Sequence, residues 1–182
     1  AVRFGWIDFV DDLEVSRALL AAVESYGKKK GMDKVIGPLG FTDLDPEGML
    51  VEGFDQLGTM ATIYNYPYYP LHMEQLGGWE KDNDYVEYKL IVPKETPEKY
   101  MKVAEMIEKR YNLHVRPMTK KEIYKDGYGY KVFEIINETF KDLYGFSELS
   151  ERQIYQYINM YLPFSDLKWI PIIEDWSVEP HK

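Results

Sequence analysis

Apolar residues crowd the first positions of the chain: Val2, Phe4, Trp6, Ile7, Phe9 and Val10 predict a strand that opens directly at the N-terminus. Asp11 and Asp12 follow, with Glu14 three residues after Asp11, a variant of the capping box that predicts a helix start. Val15, Leu19, Ala22, Val23 and Tyr26 then recur on one helical face, and Lys28, Lys29, Lys30 and Gly31 supply C-terminal charge and a stop. Met32 to Ile36 reads as a short buried strand, so strand, helix and strand form a unit fit for a parallel crossover. Periodicity fades from Phe41 to Tyr69, where prolines, glycines, acids and aromatics predict an ordered loop region.

A short helix is expected over Tyr69 to Leu76, closed by Gly77 and Gly78, and alternation through Tyr85 to Leu90 predicts another strand ending before Pro93. Thr96 and Pro97 look like a cap and a first-turn proline for a helix carrying Tyr100, Val103, Ile107 and Tyr111 on one face. Further on come a strand near Leu113 to Arg116, a helix from about Tyr130 to Tyr144 built on Val132, Ile136, Phe140 and Leu143, and a helix capped by Ser150 with Gln153 and stopped at Pro163. A last strand, Lys168 to Glu174, precedes the tail. The fold class is therefore mixed α/β, with a boundary near Pro93 to Pro97 dividing residues 1–95 from residues 96–182.

Composition narrows the function. The 182 residues hold 31 acidic and 22 basic side chains, a net charge of −9, and this field disfavours nucleic acid and anionic lipid as partners. No apolar run approaches the roughly 20 residues of a membrane span. A soluble, cytoplasmic protein is expected, and the absence of cysteine excludes disulfides and thiolate chemistry. The lack of an initial methionine, with a strand at once, predicts a fragment of a longer chain.

The run Gly37-Pro38-Leu39-Gly40-Phe41-Thr42-Asp43-Leu44-Asp45-Pro46-Glu47-Gly48, continued through Met49 to Asp55 and joined to Tyr64-Asn65-Tyr66-Pro67-Tyr68-Tyr69, resembles a bacterial family of GNAT-like (N-acetyltransferase superfamily) proteins. The resemblance covers about the first half of the chain, and the second half resembles the opening of another GNAT-like unit. It implies a central mixed β-sheet flanked by helices and an acetyl-CoA or other acyl-CoA site on the first strand, with Ile7, Phe9 and Val10 as cofactor-binding residues. It further implies Tyr69, or Tyr64, as the acid that protonates a leaving thiolate. Against this stands the helix start: the family carries a glycine-rich phosphate loop there, whereas Asp11, Asp12 and Glu14 would repel a pyrophosphate.

Each candidate has a simpler explanation. The Tyr64 to Tyr69 cluster also fits a packed, proline-set turn, and Asp43, Asp45 and Glu47 fit a turn as well as they fit a general base for an amine. Their spacing does not match a calcium loop, and no metal is expected. His72, His114 and His181 lack a second histidine at helical metal spacing, no Gly-x-Ser-x-Gly turn supports a Ser-His-Asp triad, and the sequon at Asn137 lies within a helical pattern. Two functions remain open: an acyl-CoA-dependent N-acyltransferase acting on a small-molecule amine, and a non-catalytic GNAT-like module that binds a small ligand or a protein. Homo-oligomers are compatible with both.

Overall fold

The computed structural model describes residues 1–59 and 62–179. Its elements are β1 (Val2–Arg3), α1 (Leu13–Lys29), β2 (Val35–Ile36), α2 (Tyr68–Leu76), α3 (Glu98–Tyr111), β3 (Leu113–Pro117), α4 (Lys120–Tyr124), α5 (Tyr128–Phe140), α6 (Glu151–Tyr161) and β4 (Pro171–Asp175), with two single 3-10 turns between α6 and β4. The class is mixed helix and strand. Among the described residues the strands form two separate two-stranded sheets, parallel β1–β2 and antiparallel β3–β4, where one central sheet was expected.

Two compact units emerge. The first comprises residues 1–87 and 140–148, the second residues 88–139 and 149–182. The chain thus leaves the first unit after Glu87, then returns to it for the nine residues Phe140–Glu148, which no sequence pattern signals.

In the first unit the strand–helix–strand order holds, but β1 is shorter than the strand expected through Val10. Val2 and Phe4 donate main-chain hydrogen bonds to Lys34 and Ile36, and Phe4 accepts one from Leu39; then Trp6 takes a positive φ of 47° and ends the extended run. Gly5 and Gly37 make this pairing close. A Cβ at Gly5 would stand 2.4 Å from the Leu39 carbonyl oxygen, and one at Gly37 would stand 2.4 Å from that of Phe4. Both positions thus require the smallest residue for backbone approach.

Helix α1 begins one residue later than the Asp11 cap predicted: Asp12 is the N-cap and its carboxylate accepts the Glu14 amide at 2.9 Å. Its buried face is Ser16, Leu20 and Gly27, whereas Val15, Leu19 and Tyr26 of the expected face lie in solvent. The face turns because small residues let α2 and Val2 come close; a Cβ on Gly27 would lie 2.9 Å from Val2 Cγ1.

The second unit packs around α4, α5 and α6. Ile123, Phe133, Ile154, Tyr157 and Ile158 are buried, Phe133 stacks on Tyr157 at 6.1 Å, and Gly129 lets α5 approach Ile123 and Ile158. Capping boxes at Thr119–Glu122 and Ser150–Gln153 start α4 and α6. Asn137 uses its amide to hold both main-chain groups of Leu149. Helix α3 ends on Asn112 in the left-handed conformation and buries none of its residues. Residues 79–93 contain no strand, turn or bend, so the expected strand over Tyr85 to Leu90 has no hydrogen-bonded neighbour.

Candidate functional site

Phe9 is the hub of the first unit's core. Its ring stacks on Tyr69 at 4.1 Å and on His72 at 5.5 Å, and Tyr68 leans on it at 6.0 Å. Its main chain is equally committed. The Phe9 N–H donates to the Tyr69 hydroxyl at 3.2 Å, and the Phe9 carbonyl accepts from the Tyr68 hydroxyl at 2.7 Å. Tyr69, 2 % exposed, donates in turn to the Asp8 carboxylate. Burial, and then the hydrogen bond to Asp8, pushes its phenol up to about 12. A phenol so placed keeps its proton through the neutral range and serves as a strut between Asp8 and Phe9.

The other sequence candidates diverge from this hub. Tyr64 is 54 % exposed and donates to the Phe54 carbonyl at 3.2 Å. It meets Tyr66 edge-on, and Tyr66 stacks on Tyr68, so the tyrosine cluster forms a ladder of rings leading to Phe9. Ile7 is half-buried and Val10 is exposed. Of the three residues expected to line a cofactor, Phe9 alone stands against the tyrosines.

Ser16, His72 and Asp11 form a chain that sequence reasoning did not assemble. Ser16 Oγ lies 3.0 Å from His72 Nδ1, and His72 Nε2 lies 3.1 Å from Asp11 Oδ1. The serine is fully buried inside α1 and also reaches the Leu13 carbonyl at 3.0 Å, while the aspartate is exposed. No substrate can reach that hydroxyl. The chain ties α2 to the start of α1, and it occupies Asp11 beside the Asp12 cap. Its signal in the sequence was faint: a serine where the helix must be narrow, and one histidine on a nine-residue helix.

A second group lies on the loop after β2. Asp45 closes the expected turn by accepting the Thr42 amide at 3.0 Å. Asp43 and Glu47 instead turn inward, and Asp43 Oδ1 and Glu47 Oε1 are buried with no hydrogen-bond partner among the described residues. Burial raises both carboxyls above the ordinary carboxylate range, with Arg3 opposing the shift. The Tyr85 hydroxyl bonds to Glu47, and burial followed by that bond pushes Tyr85 up to about 12. Arg3 itself donates to the Gly40 carbonyl at 3.2 Å and to the Gly145 carbonyl at 2.6 Å. Both carboxyls therefore hold their protons to higher pH than an exposed carboxylate does.

Protein YghO of Escherichia coli (strain K12) is 39 % identical over 75 residues. That match covers 41 % of this chain and 19 % of YghO, so the chain spans about a fifth of the relative's length. No family model matches the chain, and no solved structure matches it significantly.

Among the described residues no group of three or more histidine and carboxylate side chains is arranged to hold a metal. His114 packs against Trp176 at 3.9 Å, and His181 lies outside the described residues. No helix among the described residues is long and apolar enough to cross a membrane.

Proposed function

We propose that this chain is part of a GNAT-like module that binds a small ligand or a protein partner without transferring an acyl group. The supporting observation is that the hydroxyls of Tyr68 and Tyr69 take both main-chain groups of Phe9, in the segment where the resemblance places the acyl-CoA site. A pantetheine chain lying there would have to displace two internal hydrogen bonds. The exposed acids at the start of α1 add repulsion for a pyrophosphate, since Asp12 already caps the helix. The acidic net charge favours a small molecule or a protein over nucleic acid as ligand, and a cytoplasmic setting suits a cysteine-free chain.

Calorimetry of the full protein with acetyl-CoA tests this reading. No heat of binding is expected up to millimolar ligand, and saturable binding refutes it.

One observation favours an N-acyltransferase instead: the raised carboxyls of Asp43 and Glu47, each with one buried oxygen that has no hydrogen-bond partner among the described residues, which suit a base for an attacking amine. On that reading acetyl-CoA binds, and Glu47→Gln abolishes acyl transfer while leaving acetyl-CoA affinity unchanged.

A further inference from the structure

Residues 84–92 run as an exposed ribbon whose composition belongs in a sheet. Val86, Tyr88, Leu90, Ile91 and Val92 are each at least 70 % exposed, and among the described residues no hydrogen bond reaches the main chain of residues 86–92. Neither turn nor bend interrupts the ribbon, and Pro93, which has no N–H to donate, marks its end. An extended apolar segment with free amides and carbonyls is a template for another strand.

The side chains select the partner. Val86, Tyr88 and Leu90 alternate on one face; Tyr85, Glu87, Lys89 and Ile91 alternate on the other. When two copies of the ribbon run antiparallel with Tyr88 opposite Tyr88, Glu87 of each copy faces Lys89 of the other. The same register sets Val86 against Leu90 and Tyr85 against Ile91. Between residues 85 and 91 opposite charges thus meet twice and apolar side chains meet everywhere else, which is the pairing that stabilises adjacent strands; Asp84 and Val92 lie at the ends, outside this stretch. Other arrangements are poorer. A parallel pair sets Glu87 against Glu87 and Lys89 against Lys89, an antiparallel register centred on either charged residue sets like charges face to face, and a slip of one residue leaves both charges opposite apolar side chains.

We infer that residues 85–91 form a two-fold antiparallel strand pair with a second copy of this chain, centred on Tyr88. The interface is isologous, so each copy supplies the same surface, and a closed dimer results rather than a filament. It is independent of whether the module binds or transfers an acyl group.

Sedimentation equilibrium of the full chain tests the inference. Wild type is expected to form a concentration-dependent dimer. Glu87→Lys puts lysines opposite lysines and Lys89→Glu puts glutamates opposite glutamates, and each single change is expected to weaken the dimer by roughly tenfold or more. The double reversal, Glu87→Lys with Lys89→Glu, restores opposite charges and the dimer. An equimolar mixture of the two single variants forms a heterodimer tighter than either homodimer, which also shows that both variants are folded. A wild type that stays monomeric, or a dimer indifferent to both charge reversals, overturns the inference. So does a monomer whose amides at residues 86–92 resist hydrogen exchange, because the ribbon then pairs elsewhere.

Discussion

Removing one oxygen separates a structural phenol from a chemical one. Tyr69→Phe keeps the ring stacked on Phe9 and deletes the hydroxyl that bridges the Phe9 N–H and Asp8. The Phe9 amide is buried, and leaving such a donor without a partner costs about 1–3 kcal/mol. Asp8 is exposed and regains water, so its lost bond adds only about 1 kcal/mol. Together the change should destabilise the chain by roughly 2–4 kcal/mol, or about 4–16 °C in Tm for a chain of this size. Urea unfolding followed by the fluorescence of Trp6 and Trp79, both in the first unit, reads the loss. Tyr64→Phe, at an exposed position, should shift stability by no more than about 0.5 kcal/mol. If Tyr69→Phe is as mild as Tyr64→Phe, the hydroxyl is not a strut, and the commitment of the Phe9 main chain loses its force against a cofactor there.

Two further changes probe the charged groups. Asp43 and Glu47 have folded-state values above their unfolded ones, so the folded first unit holds protons the unfolded chain has released, and stability declines as pH rises from the ordinary carboxylate range. Glu47→Gln should therefore stabilise the first unit above the ordinary carboxylate range and flatten that decline in urea midpoints measured upward from pH 4.5. In the second unit the sign reverses. Arg116 holds Glu174 at 2.6 and 3.1 Å and Glu122 at 2.8 Å, and its hydrogen bond lowers Glu122 from 4.5 to about 2 and lowers Glu174 as well. Their stabilisation is complete above pH 4.5 and fades as pH falls toward 2. Arg116→Met should remove this acid dependence and lower stability at neutral pH, as read by near-ultraviolet circular dichroism of Trp169 and Trp176.

Much of the local structure was legible in the sequence. The acidic cap of α1, found at Asp12 rather than Asp11, the Ser150 cap, the glycine stop after α2 and the Pro163 stop after α6 are local hydrogen-bond or steric events that their residues announce, whereas the Thr119 cap and α4 went unread. Ser150 with Gln153 was read directly as a cap, and the structure shows both bonds. What escaped depends on contacts distant in sequence. The buried face of α1 follows Ser16 and Gly27, small residues that hydropathy ranks low, because it is the fit to α2 and Val2 that chooses the face. Likewise the alternation in residues 85–90 announces a strand, yet no pattern says which strand it pairs with. The tyrosines were legible as a cluster, but His72 with Ser16 spans 56 positions and the inward turn of Glu47 shows only in three dimensions. Phe41 to Tyr69 was expected to be loop, and the glycines just before it prove to be points of close contact: a Cβ at Gly37 would strike the Phe4 carbonyl oxygen at 2.4 Å, and one at Gly40 would strike the Asp45 Cβ at 2.1 Å.

The return of residues 140–148 to the first unit bears on how this protein can be taken apart. Gly145 offers its carbonyl to Arg3 across 142 positions, and Tyr144 donates to Asp82 across 62, so the first unit depends on atoms supplied much later in the chain. A fragment cut at residue 95 keeps every residue of the Gly37 to Tyr69 signature but strips Arg3 of that acceptor, leaving its guanidinium held by the Gly40 carbonyl alone beside Asp43 and Glu47. Ligand screens on such a fragment would report on an altered set of charges around Asp43 and Glu47, however well the fragment folds.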